Sequence, residues 1–146
     1  MHLAVKELMT TEFDKILEGE TIYEAVKKIA ATKEISIACV VDKEGKLKGL
    51  LTPKDILQAL EVREFGAIRG RFFAGPEVLH LLSSKYAEDI MSAPVSVHVD
   101  DAVEDVINCM LDHGVYELPV VDRDMKVMGE ITYFTIIMDA VRRHAI

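Results

Sequence analysis

The sequence predicts an α/β protein made of two tandem copies of one strand–helix–strand–strand–helix unit. A helical apolar stripe occurs twice, each stripe is followed by a run of β-branched residues, and each run leads through a polar turn to a second strand ending in threonine. Corresponding positions in this chain of 146 residues lie 80 to 82 residues apart. A repeat that keeps this order and register indicates a duplicated supersecondary unit.

Each copy begins with a short segment ending in methionine and a hydroxyl residue, at positions 5–10 and 87–92. Apolar residues spaced i, i+3, i+4, i+7 and i+8 then predict one amphipathic helix per copy. They are Ile22, Ala25, Val26, Ile29 and Ala30 in the first copy, and Val103, Val106, Ile107, Met110 and Leu111 in the second. Thr21 with Glu24, and Asp101 with Glu104, are predicted to start these helices as capping boxes.

The two β-branched runs cover 35–42 and 115–122, and the strands after the turns end at 49–52 and 129–132. Closing helices are predicted over 53–61 and from 133 to about 144. Two or three strands cannot bury both faces alone, so we expect the copies to pack sheet to sheet with pseudo-twofold symmetry. The closing helices either cover these sheets or also form a dimer face, through Ile56, Leu57 and Leu60 in the first and Phe134, Ile137, Met138 and Val141 in the second.

The predicted boundaries are 1–61 for the first repeat, 62–86 for a linker with a short helix starting at Pro76, and 87–146 for the second repeat. Long connections in compact domains are packed or functional. Two interpretations of the linker stay open: its aromatic residues fix it to the core, or its arginines reach an anionic ligand or a partner chain. The residues concerned are Phe65, Phe72 and Phe73 for the first, and Arg63, Arg69 and Arg71 for the second.

Composition excludes several classes of function. The net charge of −8 argues against nucleic acid and against an anionic membrane as partners. No apolar run approaches the length of a membrane span, and the first ten residues lack a signal-peptide stretch. Cys39 and Cys109 lie in apolar runs, which is typical of buried thiols in a reducing cytoplasm. Neither a nucleophile elbow, a phosphate loop nor a metal-ligand spacing is found, so we expect neither an enzyme nor a metal site.

The duplicated pattern resembles the tandem CBS module, named for the regulatory domain of cystathionine β-synthase. The resemblance is carried by positions 8–10, 90–92, 94–97, 118–122, 49–56 and 129–132. It implies a regulatory sensor that binds an adenosine-containing ligand (AMP, ADP, ATP or S-adenosylmethionine) in a cleft between repeats. It also implies a homodimer that transmits the bound state, a regulated partner protein, no required cofactor and no catalytic activity. The alternative is a ligand-free scaffold for dimerisation or protein interaction.

By the same resemblance, Thr52 and Asp55 form the ribose signature of the first repeat. A carboxylate can accept hydrogen bonds from both ribose hydroxyls. The resemblance assigns the adenine contacts to Pro94, Val95 and Ser96, whereas Lys54, Arg69 and Arg71 are candidates for phosphate. Thr52 and Asp55 are equally the N-cap and N3 residues of a well-formed helix start, so a capping role alone stays open beside the ligand role.

The second repeat departs from this signature because Thr132 matches but Thr135 stands where the carboxylate is expected. We therefore expect a weak, empty or differently used second site. Tyr116 and Glu117 occupy positions where nucleotide-binding relatives often carry His-Arg. Since Glu117 would repel a phosphate, the sequence favours less anionic ligands such as adenosine or S-adenosylmethionine.

Overall fold

The computed structural model describes residues 3–31, 37–65 and 76–144. In chain order its elements are α1 (Val5–Leu8), β1 (Asp14–Leu17), α2 (Ile22–Ala31), β2 (Ala38–Val41), β3 (Leu47–Leu51), α3 (Pro53–Phe65), α4 (Pro76–Ser83), α5 (Ala87–Ile90), β4 (Val97–His98), α6 (Val103–His113), β5 (Glu117–Val121), β6 (Val127–Thr132) and α7 (Tyr133–Arg142). None of the described helices is long and apolar enough to cross a membrane.

The strands form two three-stranded sheets, ordered β1-β2-β3 and β4-β5-β6, which confirms the predicted α/β class. β1 runs parallel to β2, with Asp14 opposite Ala38. β4 runs parallel to β5, and β5 runs antiparallel to β6, with Glu117 opposite Thr132. Each sheet therefore combines a parallel pair, crossed by α2 or α6, with a third strand that follows directly in the chain.

Contacts divide the chain into two compact units. The central unit comprises 14–43 and 48–94, and the terminal unit comprises 1–13, 44–47 and 95–146. Each unit has its own apolar core. The central core contains Ile16, Val40, Leu51 and Val62, and the terminal core contains Val5, Val106, Leu118 and Ile131. The core residues of α2 and α6 come from the helical stripes that the sequence predicts.

Each unit joins its last strand to the segment that follows a one-turn helix. In the central unit the Ser92 N–H donates to the Leu50 carbonyl at 2.7 Å, and the Leu50 N–H donates back at 3.0 Å. In the terminal unit Thr10 and Glu130 make the same pair of bonds, at 2.8 and 2.9 Å. The methionine–hydroxyl segments that open the repeats are thus fixed to β3 and β6.

A glycine precedes each of these paired strand residues, and the approaching backbone requires it. A Cβ on Gly49 would lie 2.5 Å from Met91 Sδ and 2.7 Å from the Ser92 carbonyl oxygen. A Cβ on Gly129 would overlap the Thr10 carbonyl oxygen. Neither glycine has a positive φ, so space and not backbone conformation demands the missing side chain.

One predicted helix start is confirmed and the other is wrong. Thr21 and Glu24 form the reciprocal bonds of a capping box, with the Glu24 N–H donating to Thr21 Oγ1 at 3.1 Å. α6 instead begins one residue later than the Asp101–Glu104 pair requires, because its N-cap is Ala102, which offers no side-chain acceptor. The Asp101 carboxylate accepts from the His98 N–H at 2.8 Å and shapes the turn after β4.

Several predicted boundaries shift. α3 continues to Phe65, four residues beyond its predicted end, and α7 ends at Arg142 and not at about 144. The first strand of the second repeat, β4, is only two residues long. The helix predicted from Pro76 is present as α4.

Of the linker candidates, Phe65 is largely exposed and does not fix the connection to the core. Arg63 Nη2 donates to the Ser84 carbonyl at 2.6 Å, which ties α3 to the end of α4. Phe72 and Phe73 lie outside the described residues.

Candidate functional site

Thr52 and Asp55 lie at the junction between β3 and α3 and are joined by three hydrogen bonds. The Thr52 N–H and Oγ1–H donate to Asp55 Oδ2 at 2.9 and 2.8 Å, and the Asp55 N–H donates to Thr52 Oγ1 at 3.2 Å. This is a complete capping box. The pairing that the sequence predicts is therefore present, and Asp55 is buried, with 8% of its surface exposed.

Ser92 completes the group from a distant part of the chain. Its Oγ–H donates to Asp55 Oδ1 at 2.5 Å, a length typical of a charge-assisted bond between a hydroxyl and a carboxylate. The paired bonds with Leu50 and the missing side chain of Gly49 hold Ser92 against β3. Ser92 itself is exposed, so the Oδ1 side of this carboxylate lies next to the protein surface.

Sequence reasoning did not identify Ser92 as a site residue. It assigned Ser92 only to the repeated segment that opens the second copy. The hydrogen bond to Asp55 joins residues 37 positions apart, and no local pattern reports such a contact. The available signal was the hydroxyl residue after methionine in both copies, Thr10 and Ser92.

The other predicted ligand residues are spread over both units. Lys54 is exposed and lines a shallow cavity of about 320 Å³ on the solvent face of α3, together with Leu57, Gln58 and Glu61. Arg69 and Arg71 lie outside the described residues.

The predicted adenine residues precede β4. Pro94 is exposed and lies in the central unit, two residues after Ser92. Val95 and Ser96 are half-buried and belong to the terminal unit, where Val95 packs against the core around Val97. Val95 therefore has a packing role in the terminal unit.

The equivalent positions of the terminal unit lack a carboxylate. Thr132 caps α7 by accepting from the Thr135 N–H at 3.4 Å, and the Thr135 hydroxyl donates to the Thr132 carbonyl at 3.0 Å. Thr10, which corresponds to Ser92, accepts from the Glu12 N–H at 3.2 Å. The duplicated backbone is therefore kept, but the acceptor centre found at Asp55 is not.

An apolar groove of about 370 Å³ lies on the surface of the terminal unit, between α6 and α7. Its lining contains no charged side chain and consists of Ile107, Met110, Leu111, Tyr116, Tyr133, Ile136, Ile137 and Ala140. Leu111 is 71% exposed, and no residue along α7 is buried. The four residues of the predicted stripe on α7, from Phe134 to Val141, are therefore exposed and are not part of the core of the terminal unit. We call the groove, together with the exposed apolar side chains of α7, the α6–α7 face.

The described residues bring together no set of three His, Cys, Asp or Glu side chains able to hold a metal ion. Cys39 and Cys109 are both free thiols. Burial raises the pKa of Cys109, and the nearby Asp112 and Asp101 raise it further. The thiolate, which is the nucleophilic form, is thereby disfavoured at this position.

Comparison with known proteins confirms the resemblance that the sequence indicates. The family model for the CBS domain matches the chain twice, at residues 5–62 and 87–140. The chain is 27% identical over 128 residues to homoserine O-acetyltransferase of Methanococcus vannielii, an alignment that covers 88% of this chain and 23% of that enzyme. This chain therefore spans less than a quarter of that relative's length.

Two solved structures are similar over nearly the whole chain. The CBS domain pair of protein MJ0100, in complex with 5′-methylthioadenosine and S-adenosyl-L-methionine, is 26% identical with a TM-score of 0.70, covering 93% of this chain and 98% of that one. The cytosolic domain of the Mg²⁺ channel MgtE in complex with ATP is 26% identical with a TM-score of 0.69, covering 93% and 48%.

Proposed function

This chain belongs to the CBS-domain family, and we propose that it is a regulatory module that binds an adenosine-containing ligand at Thr52 and Asp55. The observation that carries the proposal is the buried Asp55 carboxylate, which has acceptor capacity beside the exposed Ser92. A ribose presents two adjacent hydroxyl donors, and a carboxylate is the side chain that can accept both. The adenosine compounds bound by MJ0100 and by MgtE support this ligand class.

The start of α3 suits a ligand with only modest negative charge, because Pro53 lacks an N–H, the Asp55 N–H is bonded to Thr52 Oγ1, and the Asp55 side chain is itself a carboxylate. The start of a helix of this length carries a partial positive charge that favours a nearby anion. Lys54 is exposed there and would add a cation for one phosphate group. Phosphate contacts from Arg69 and Arg71, and adenine contacts from Pro94, Val95 and Ser96, remain predictions. Adenosine, AMP and S-adenosylmethionine are thus the first ligands to test, before ATP.

Isothermal titration of the chain with these four compounds tests the proposal. For the ligand that binds, Asp55→Asn should weaken affinity at least about 30-fold, because the hydrogen bonds from ribose lose their charged acceptor. Asparagine still accepts at a helix N-terminus, so this variant should keep the fold. Thr135→Ala is the matched control in the second repeat and should change affinity less than twofold. Equal losses in both variants would contradict the assignment, and no binding of any compound would refute the ligand class.

The proposal includes a homodimer formed through the α6–α7 face. Exposed apolar residues lining a groove without charged side chains are typical of a surface that a partner covers. Exposed Leu57 on α3 lies beside Lys54 and Glu61, so that surface is less suited to burial.

Sedimentation equilibrium of Leu111→Asp should show at least about 30-fold weaker association, because the new carboxylate would be buried unpaired. Leu57→Asp should leave the association unchanged. If the wild-type chain sediments as a monomer, the proposed dimer is refuted.

A second candidate function has its own support. Asp55 already accepts three hydrogen bonds within the chain, and the α6–α7 face can serve a protein partner without any ligand. This describes a scaffold that dimerises or binds a regulated protein. Dimerisation with no heat of binding from any of the four compounds would favour the scaffold over the sensor.

A further inference from the structure

The hydrogen-bond capacity of Asp55 limits how a ribose can bind. A carboxylate offers about four acceptor positions, two on each oxygen. Oδ2 accepts from both the Thr52 N–H and the Thr52 hydroxyl, and Oδ1 accepts from the Ser92 hydroxyl. The chain therefore occupies three of the four positions. A ligand with one hydroxyl can use the fourth, but a ligand with two adjacent hydroxyls needs one position more.

We infer that the Ser92 hydroxyl occupies the place of a ligand hydroxyl on Asp55, and that it must turn away when a cis-diol binds. The inference rests on the proposed function and names the residue that sets its affinity and its preference for a diol. Ser92 would thus act as a built-in competitor of the ribose.

Ser92 is the donor that can leave at the lowest cost. The N–H of Thr52 is a fixed backbone donor, and the hydroxyl of Thr52 also accepts from the Asp55 N–H. Moving either group of Thr52 would therefore break the start of α3. The Ser92 side chain is exposed, and rotation about one bond lets its hydroxyl donate to water. Its backbone stays paired with Leu50 throughout, so its release needs no movement of the main chain.

The two copies of the repeat support this role. The position of Ser92 is taken by Thr10 in the terminal unit, where the side chain accepts from Glu12 and Thr135 supplies no carboxylate. Both units share the paired backbone bonds of this segment. Only the central unit, which has the Asp55 carboxylate, also has a hydrogen bond from the segment's hydroxyl to a carboxylate.

Titration of the full chain with AMP and with 2′-deoxy-AMP tests the inference. Ser92→Ala removes the competing donor from the free state, so AMP should bind about three- to tenfold more tightly. The deoxy compound has one hydroxyl for the vacant position, and its affinity should change less than twofold. Ser92→Thr keeps a hydroxyl at a position that accepts threonine in the other copy, and it should restore the affinity for AMP. Thr10→Ala is the matched control and should leave both affinities unchanged.

The free protein provides a second readout. Loss of the bond to Asp55 should lower the melting temperature of Ser92→Ala by roughly 2–4 °C without ligand. Unchanged or weaker AMP affinity in Ser92→Ala, or an equal gain for AMP and 2′-deoxy-AMP, would overturn the inference while leaving the proposed function intact. Failure of the unchanged chain to bind AMP or any other adenosine compound would overturn both.

Discussion

Gly49→Ala tests the close approach that places Ser92 against Asp55. The added methyl group would lie 2.5 Å from Met91 Sδ and 2.7 Å from the Ser92 carbonyl oxygen. The thioether can swing aside because methionine is flexible. The carbonyl cannot, because Ser92 is held to Leu50 by two backbone hydrogen bonds. The substitution therefore pushes the segment after α5 away from β3.

The magnitude follows from these contacts. Restoring ordinary van der Waals distance requires the Ser92 carbonyl to retreat by about 0.7 Å, and overpacking of this kind costs about 1–3 kcal/mol. Weakening the two backbone bonds adds about 1 kcal/mol. Alanine restricts the unfolded chain more than glycine does, which stabilises the folded state by about 0.5 kcal/mol. We expect the free energy of unfolding to fall by about 1.5–3.5 kcal/mol.

Urea denaturation followed by circular dichroism measures this loss, with two further glycines as references. Gly129→Ala should cost at least as much, because the added methyl group meets only backbone of the segment at Thr10 and Thr11. Gly19 has no atom within 4 Å of an added Cβ and its φ is not positive, so Gly19→Ala should be neutral or slightly stabilising. A Gly49→Ala protein as stable as Gly19→Ala would refute the close approach.

Three further predictions concern pH, thiol chemistry and helix caps. Hydrogen bonds from the backbone N–H groups of Lys85 and Tyr86 hold the pKa of Asp89 below its ordinary value. The ionised carboxylate therefore stabilises the folded chain at neutral pH, and this stabilisation is lost as the pH falls through the lowered pKa of the folded state. Urea titrations should thus show Asp89→Asn less stable at pH 7 and the difference shrinking towards pH 2; a constant difference would contradict this. Burial raises the pKa of Cys109, so mass spectrometry should show slower iodoacetamide labelling in native protein than in urea, and equal rates would contradict it. Thr21→Ala should cost about 1 kcal/mol of unfolding free energy and Ala102→Ser should add about 0.5–1 kcal/mol by supplying the absent cap; opposite signs would show that the caps are misassigned.

The repeated order of helices and strands could be predicted because its signals are local. The apolar stripe of α2 has the helical period, and residues such as Ile22 and Ala25 occupy the core positions that the stripe predicts. The start of α6 was less predictable. Asp101 and Ala102 are adjacent, and of the two only Asp101 has a side chain that can cap a helix. Because α6 begins one residue later than predicted, Ala102 and not Asp101 is the N-cap. Such a shift leaves the apolar stripe unchanged, so the stripe could not reveal it.

The candidate site was predictable only in part, for a different reason. Thr52 and Asp55 are three residues apart, and their pairing follows from helix geometry. The contact of Ser92 depends on which strand its segment joins, which is a tertiary property. The exposed stripe of the α6–α7 face was likewise visible as a periodic pattern around Ile137. Periodicity alone does not say whether such a stripe meets its own sheet or another chain.

Comparison of the two copies shows which of the hydrogen bonds of Asp55 a capping role explains. α7 begins at a Thr132 cap with no carboxylate at its third position, because Thr135 supplies the N–H and nothing more is needed to start that helix. Capping therefore explains the bonds between Thr52 and Asp55 Oδ2 but leaves Oδ1 without a role in the helix start. That oxygen is the one that accepts from Ser92, beside the surface. If Asp55 served only to start α3, Asp55→Thr should reproduce the cap of the second copy and lose no more stability than Ser92→Ala does. A loss of ligand affinity in that variant would then report a use of the Asp55 carboxylate beyond the helix start.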